Sequence, residues 1–405
     1  MTKSLHLDSA DLVALGRLTT RAVSGVTDIV EDVHAQVAFP SAGLRQRSTG
    51  TFQTGIPALV YSSIRVVTGI VDSGLAVVSK QVPASKQRRL SLRREALVAA
   101  LNGVLGDYLV QTNNPLAISM SVRHRGRSLE IKRQALKAVF PEATGKVLLL
   151  AHGLCMNDLQ WKRGRHDHGA ALCRDLGYTP VYLHYNSGLH VSENGRLLAS
   201  LLETLLEQWP VPVNELAIIG HSMGGLVARS ACYYGAEAGH HWPRRLRRLV
   251  FLGTPHHGVP LERLGNFLDT ALKTSPYSAP FARLGKIRSG GVTDMRYGNL
   301  LDDDWKGRDH FVLGADVRSP LPLPAGVDSY ALAATTQKAT GNSNLELLGD
   351  GLVPVNSALG RHRNPAMNLG FNEAHGWIGY GMNHWDLLSR RAVYDTIRRR
   401  FGSQS

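Results

Sequence analysis

Ala217-Ile218-Ile219-Gly220-His221-Ser222-Met223-Gly224-Gly225 is an apolar run with strand chemistry that meets Gly-x-Ser-x-Gly and passes at once into Leu226-Val227-Ala228-Arg229-Ser230-Ala231, a good helix former. The pattern reads as a strand, a sharp turn and a helix, with Ser222 at the corner. At such an elbow the serine backbone is strained, and Gly220 and Gly224 are small because a side chain there would strike the neighbouring strand or helix. Ser222 then projects its hydroxyl into an open cleft. The next amide, on Met223, falls at a helix N-terminus, where unpaired N–H groups and the helix dipole favour a developing negative charge. One turn thus supplies a nucleophile and half of an oxyanion hole. The five letters alone arise by chance in any chain rich in Gly and Ser, so the reading rests on the strand before, the helix after and the partners found elsewhere in the chain.

On both sides of the elbow, strands and helices alternate. Residues 146–151 form a continuous apolar run suited to a strand buried on both faces. A helix is expected over about 169–176, a strand over 179–184 and a helix over 192–208. After the elbow comes another buried strand, 246–252, leading into Gly253-Thr254-Pro255-His256-His257-Gly258. Successive β-α-β units require right-handed crossovers, hence an α/β fold with a mainly parallel sheet and helices on both faces. Between residues 258 and 326 the alternation gives way to short amphipathic pieces, prolines and glycines, an insertion expected to lie over the cleft as a cap. Strand character resumes at 327–335, and residues 344–348 lead into Gly349-Asp350-Gly351-Leu352-Val353-Pro354. The last strand is expected near 374–380, and Met382-Asn383-His384-Trp385-Asp386-Leu387-Leu388 opens a final helix that runs to about Arg400. Upstream, residues 118–122 and 128–131 alternate around Arg125-Gly126, the pattern of a hairpin forming the antiparallel edge of the sheet.

The first third is helical in pattern. Leu12, Leu15, Val23, Val26, Ile29, Val30, Val33 and Val37 recur at helical spacing over residues 11–39. A second apolar segment, 56–82, has Pro57 at its start and Pro83 just beyond its end, and is interrupted by Arg65 and Asp72. It is long enough to span a bilayer, but buried charges there are costly, so packing on protein is the first expectation and contact with a lipid surface the second. A third helix covers 88–109. The chain therefore divides into an N-terminal helical region, 1–114, and a catalytic domain, 115–405, with the cap insertion at about 258–326.

With 405 residues, 43% of them hydrophobic and 19% charged, the chain is long enough for one large globular domain plus an extension. Its 46 Lys+Arg against 32 Asp+Glu leave a net charge of +14, which attracts nucleic acid, anionic membranes or acidic substrates. No nucleic-acid module stands out, and the short, scattered Arg clusters read first as solvated surface. Cys155, Cys173 and Cys232 have no C-x-x-C spacing, so no disulfide framework is expected and a reducing, cytoplasmic location fits. Residues 1–8 lack a basic stretch followed by an apolar one, and no secretory leader is expected.

Serine is a poor nucleophile at neutral pH. It needs a base to take its proton and an acid to hold that base in one tautomer. Asp350, between glycines just beyond a strand, and His384, in the turn after the last strand, follow Ser222 in one of the known orders of such a triad. Asp302-Asp303-Asp304 and Asp316 are rival carboxylates, but they lie in the cap, where a surface role is expected. His375 falls within the last strand. The pairs His240-His241 and His256-His257 and the cluster His166-Asp167-His168 fit no metal-site spacing, so neither metal nor other cofactor is expected. Asp386 reads as a first-turn acidic residue favoured by the helix dipole, with steadying of the loop around calcium as the lesser reading. For the second oxyanion donor, His152-Gly153 allows close backbone approach, which makes the amide of Leu154 the partner of that of Met223; His152 itself fits a structural role.

Taken jointly, Ala151-His152-Gly153, Gly220-His221-Ser222-Met223-Gly224-Gly225, Leu252-Gly253-Thr254-Pro255-His256-His257-Gly258, Gly349-Asp350-Gly351-Leu352-Val353-Pro354 and Asn383-His384-Trp385-Asp386-Leu387-Leu388 resemble the esterase and lipase branch of the α/β hydrolases. The nearest likeness is to bacterial lipases and GPI-inositol-deacylase-like esterases, which Arg288-Ser289-Gly290-Gly291-Val292-Thr293-Asp294-Met295-Arg296-Tyr297-Gly298 also resembles. The resemblance covers about residues 145–400. It implies an α/β-hydrolase fold and hydrolysis of carboxylic esters through an acyl-enzyme, on lipid-like or other apolar acyl substrates. Two other readings stand beside it: a lipid- or membrane-surface binding protein whose hydrolase domain is idle, and an acyltransferase that uses the same triad. The expected partners are a small-molecule or lipid ester and, through the N-terminal helices, a membrane surface met peripherally; nucleic acid is not among them.

Overall fold

The computed structural model of the protein describes residue 16 and residues 92–272, 289–307, 316, 318–339, 348–371 and 374–402. The helical segments expected at 11–39 (Gly16 apart) and 56–82 lie outside the described residues, as do 273–288, 308–315 and 317 of the insertion and 344–347 before Asp350. The chain forms two compact units, one of Met1–Arg94 with Gln111–Leu116, the other of Glu95–Val110 with Ala117–Ser405. In the smaller unit Asn114 Oδ1 accepts a bond from the Leu116 amide at 2.9 Å. Helix α1 (Leu92–Gln111), whose backbone leaves helical values at Leu105 (φ −127°, ψ 17°), supplies Glu95–Val110 to the larger unit.

The larger unit continues as β1 (Ser121–His124), β2 (Arg127–Ser128), α2 (Arg133–Val139), β3 (Lys146–Ala151), α3 (His168–Leu176), β4 (Thr179–His184), α4 (Val191–Glu207), β5 (Glu215–His221) and α5 (Met223–Glu237). It then runs through β6 (Leu246–Leu252), α6 (Leu261–Leu272), α7 (Gly290–Tyr297), β7 (Asp328–Thr335), α8 (Val355–Ala358), β8 (Gly376–Tyr380) and α9 (Arg391–Gly402). The strands form one sheet in the order β2-β1-β4-β3-β5-β6-β7-β8. Between β1 and β2 both Arg125 (φ 51°) and Gly126 (φ 76°) take positive φ, as the tight turn of a two-residue hairpin requires. β1 pairs antiparallel with β4, and the sheet is parallel from β4 to β8. The mainly parallel α/β sheet expected from the strand and helix alternation, with its antiparallel edge hairpin, is therefore the observed one, and it is the α/β-hydrolase architecture that the resemblance implied. No described helix is long and apolar enough to cross a membrane.

Central strands carry the longest unbroken apolar runs because helices cover both their faces. Val147 to Ala151 of β3 and Leu216 to Ile219 of β5 are fully buried. Around them pack Leu172, Trp161, Val250, Leu332, Leu387 and Ile397. Register then fixes the site: Ala151 pairs with Gly220, His221 with Leu252, Leu252 with Leu332 and Thr335 with Tyr380. β3, β5 and β6 thus end within a residue of one another while β7 and β8 run three residues further, and the loops that follow them open along one edge.

One expectation fails at the C-terminus. Residues 382–400 do not form a continuous helix: a 3₁₀ turn, His384–Leu388, precedes α9. Asn383 Oδ1 accepts the amides of Trp385 and Asp386, and Asp386 Oδ2 accepts that of Asn383. This local exchange competes with helical bonding and ends the turn at Ser389. Asp386 is thus a capping residue, and its other oxygen takes Arg390 Nε at 3.1 Å.

Candidate active site

Ser222 stands between β5 and α5 with φ 53° and ψ −126°, a conformation non-glycine residues rarely adopt. The two motif glycines hold the elbow shut. A Cβ at Gly220 would lie 2.5 Å from Gly225 Cα, and one at Gly224 would overlap the carbonyl oxygen of Ala151 at the end of β3. These contacts let the first turn of α5 lie directly on the neighbouring strand. Met223 is the first residue of α5, and its amide has no acceptor within the helix.

The loop after β3 closes on the same point. A Cβ at Gly153 would lie 3.0 Å from Ser222 Cβ and 3.2 Å from His221 Nδ1, so this backbone approaches the serine closely and a side chain here would press on it. Leu154, next in the chain, is buried. His152 is structural in its contacts: Nδ1 bonds Gly153 O at 2.9 Å, its ring stacks on Tyr185, and the Tyr185 hydroxyl donates to His152 O at 2.7 Å. Burial pushes the pKa of His152 down to about 4, against the bond to Gly153.

Asp350 and His384 meet across 34 residues of chain: His384 Nδ1 lies 2.7 Å from Asp350 Oδ2, and both side chains are buried. The other carboxylate oxygen, Oδ1, accepts the amides of Leu352 at 3.0 Å and Val353 at 2.8 Å. Backbone joins the two as well, the His384 amide donating to Asp350 O at 3.0 Å. Gly349 (φ 100°) and Gly351 (φ 96°) provide the positive φ that this tight loop needs. The remaining imidazole nitrogen, His384 Nε2, is buried and has no hydrogen-bond partner among the described residues.

Three residues around His384 escaped the sequence reading. His221 Nε2 lies 3.3 Å from His384 O, and the two rings are 4.6 Å apart; burial, then the neighbouring His384, hold the His221 pKa well below the usual value. Gly253 (φ 57°) faces the imidazole, since a Cβ there would lie 3.1 Å from His384 Nδ1 and Cε1. Trp385 packs edge-on to His384 and stacks with Phe267 of α6. The signals were present as the residue before the serine, the glycine ending β6 and the residue after the histidine, but nothing local says what they touch.

The rival residues have other partners. Asp304 is not a surface carboxylate as expected: it is buried and accepts the amides of Leu300 at 2.8 Å and Leu301 at 2.9 Å. Asp302 pairs with Arg196 and Lys306, and Asp316 with Arg318. His375 precedes β8, its carbonyl accepting the Ala331 amide and its ring against Tyr330. His168 is buried on Leu387 O while Asp167 caps α3 through the Ala170 amide. His256 is buried beside Arg229, and His241 bonds Glu203. Among the described residues no group of three or more His, Cys, Asp or Glu side chains is placed to hold a metal ion. An unforeseen His–Asp pair joins α7 to the start of α4: Asp294 accepts from His190 at 3.0 Å, from the Val191 amide at 2.8 Å and from Asn299 at 3.0 Å. With its acceptors so filled, Asp294 works as a clasp between α7 and the start of α4.

A sheet of this order, with a serine elbow after β5 and a histidine after β8, defines an α/β hydrolase by fold. Residues 182–322, from β4 through the elbow into the insertion, match the family model described as a PGAP1-like alpha/beta domain. No curated protein matches the sequence. Among solved structures, the chain is similar to the lipase BlEst2 of Bacillus licheniformis in mature form, at 15% identity over 70% of this chain and 98% of that one, with a TM-score of 0.42. It is similar to the Pyrococcus furiosus esterase Pf2001 at 13% identity over 65% and 81% of the two chains, TM-score 0.36. A thermophilic esterase from Thermogutta terrifontis is similar at 14% identity over 64% and 92%, TM-score 0.35.

Proposed function

We propose that the protein is a serine carboxylic-ester hydrolase that works through an acyl-enzyme. The observation that carries this reading is the Asp350–His384 pair, in which His384 Nδ1 is tied to the carboxylate and Nε2 has no partner among the described residues, together with Ser222 held in a strained elbow. Asp350 keeps the proton on Nδ1, so that Nε2 is the basic nitrogen. His384 Nε2 takes the proton of Ser222, and Oγ forms a bond to the acyl carbonyl carbon. The carbonyl oxygen gains the negative charge, which the amides of Leu154 and Met223 receive. Collapse of this intermediate breaks the ester C–O bond, and His384 returns the proton to the leaving alcohol. Water then repeats the sequence, with His384 as base, and releases the acid.

Apolar, lipid-like acyl groups are the proposed substrates, a reading supported by the apolar segment 56–82 of the sequence and by Phe267 of the insertion lying against Trp385 beside His384. A cytoplasmic site of action with peripheral contact to a membrane surface belongs to the same proposal. Replacement Ser222→Ala tests the core of it: turnover of p-nitrophenyl esters should vanish while the circular dichroism of the wild type is kept. Undiminished turnover by Ser222→Ala would remove the proposal.

A further inference from the structure

The loop that carries the Leu154 amide has a backbone that its own sequence does not favour. Cys155 takes φ 60°, a left-handed conformation that suits glycine, and it is buried. The Met156 amide donates to Gly153 O at 3.3 Å and closes a four-residue turn whose third residue, Cys155, has the positive φ of a type II turn. A residue with a side chain stays in such a conformation only where its surroundings over-determine it.

Here the surroundings are α1. Cys155 Sγ lies 3.8 Å from Ala100 O, and the next turn of the helix offers Gly103. A Cβ at Gly103 would collide with that sulfur and lie 2.9 Å from both Cα and N of Cys155, so the helix backbone itself is the surface on which the turn rests. From the other side the Cys155 amide donates to Ser187 Oγ at 3.0 Å. The loop of Ser187 is in turn fixed to α1, with Asn186 Nδ2 donating to Gly106 O at 3.0 Å and Gly188 pressed on Asn102 O. The start of α7 is tied to the same stretch: Ser289 Oγ donates to Gly103 O at 2.7 Å, and the Gly290 amide to Asp107 Oδ2 at 3.1 Å.

A planar trans peptide links these contacts to the chemistry. Gly153 O is held by Met156, which leaves the N–H of Leu154 pointing to the opposite side of the same plane. That plane adjoins Ser222, since Gly153 lies against its Cβ. The aim of the Leu154 amide thus depends on the turn, the turn on the φ of Cys155, and that φ on the face of α1 around Gly103.

We propose that α1 belongs to the catalytic apparatus: the contact of Gly103 with Cys155 holds the oxyanion loop in its working conformation, and Cys155 is a positioning residue for the Leu154 amide. This rests on the ester-hydrolase reading and deepens it.

The test uses the full chain, with kcat and KM for p-nitrophenyl butyrate expressed per serine titrated by a fluorophosphonate. Wild type and Ser222→Ala establish the hydrolase reading first. Gly103→Ala is then expected to lower kcat roughly a hundredfold, the loss that follows removal of one oxyanion donor, while KM stays within about threefold. The double variant Gly103→Ala, Cys155→Gly removes the struck sulfur and puts a residue at ease with positive φ in the turn; it should regain roughly tenfold or more of the lost kcat. A merely structural role would lower the titrated serine and leave kcat per serine unchanged. If Gly103→Ala does not fold, Cys155→Val carries the test, because a β-branched residue resists positive φ; folded Cys155→Val with a wild-type kcat overturns the proposal, and a loss in kcat that Cys155→Gly does not share supports it. An unimpaired Gly103→Ala in a wild type that hydrolyses the ester overturns this inference alone. A wild type without turnover or serine labelling overturns the hydrolase reading, and this inference falls with it.

Discussion

His384 Nδ1 lies 2.7 Å from Asp350 Oδ2, while Oδ1 of the same carboxylate accepts two backbone amides, those of Leu352 and Val353. The two oxygens are thus assigned different work, one to the loop and one to the imidazole. Asp350→Asn separates them. The amide oxygen replaces Oδ1 and keeps the loop, whereas the NH₂ group faces His384 Nδ1 as a donor. The imidazole must then carry its proton on Nε2, the nitrogen that has to accept the proton of Ser222. The expected result is a loss of roughly 10³–10⁴ in kcat with little change in KM or in thermal stability. A fall in stability that accounts for the lost rate would mean that Asp350 serves the fold alone.

Ser222 stores strain that activity requires and stability does not. At φ 53° and ψ −126° it occupies a region that costs about 1–3 kcal/mol for a residue with a side chain. Ser222→Gly releases that strain, against a loss of about 1 kcal/mol through the freer unfolded chain; Ser222→Ala keeps it. Neither variant should turn over ester. Urea unfolding should find Ser222→Gly at least as stable as Ser222→Ala, and the reverse order would show that the elbow is relaxed.

How much of this was legible in the sequence follows from the range of each interaction. The strands β3 and β4 could be read to the residue because an unbroken apolar run between polar ends is a local signal of burial on both faces. The elbow could be read because Gly220 and Gly224 each answer to a steric demand set within a few residues. The end of the chain misled because helical periodicity continues through His384–Leu388, while the exchange between Asn383 and Asp386 overrides it. Asp304 misled for a related reason: three acidic residues in a row look solvated, yet the third turns inward to two backbone amides. The role of α1 lay beyond reach, since Gly103 in an ordinary helical pattern gives no sign that Cys155, more than 50 residues on, rests against it.

Glycines with the same local sequence preference should respond oppositely to one added methyl group. At Gly224 a Cβ would overlap Ala151 O and lie 2.5 Å from His152 O, both backbone atoms at the end of a central strand that cannot yield. At Gly265, in the middle of α6, a Cβ meets nothing within 4 Å among the described residues. Gly265→Ala is expected to stabilise by about 0.5–1 kcal/mol through helix propensity and a less flexible unfolded chain. Gly224→Ala should destabilise by about 3 kcal/mol or more, as overpacking against backbone does, and abolish ester turnover. Urea midpoints at one pH compare them directly; a Gly224→Ala midpoint equal to the wild type would mean that α5 can move away from β3 without cost.

Acid should destabilise the fold well above the range in which carboxylates titrate. Burial holds His152 and His168 down to about 4 and His184 down to about 2, and places His221 and His256 well below the usual histidine value. The unfolded chain takes up protons at these five positions near pH 6.5, whereas the folded one does so only at lower pH. Between pH 6.5 and about 4 the unfolded state therefore binds more protons, and stability must fall as pH falls, by up to about 1.4 kcal/mol per pH unit for each histidine. Above pH 7 both states are neutral at these sites and the effect disappears. His190 acts in the other direction: burial lowers its pKa, but the bond and charge of Asp294 outweigh this and raise it, so its contribution is present in acid and lost as pH rises. Asp107 and Asp158, raised by burial, act with it, but His124, His166 and His257, lowered by burial, add to the five, and the sign stands. Urea midpoints measured from pH 7.5 to pH 5 should decline steadily below 6.5, and His168→Gln, which leaves the oxyanion loop untouched, should make that decline shallower. A midpoint that stays level from pH 7.5 to pH 5 would mean that these imidazoles are reached by water in the folded protein.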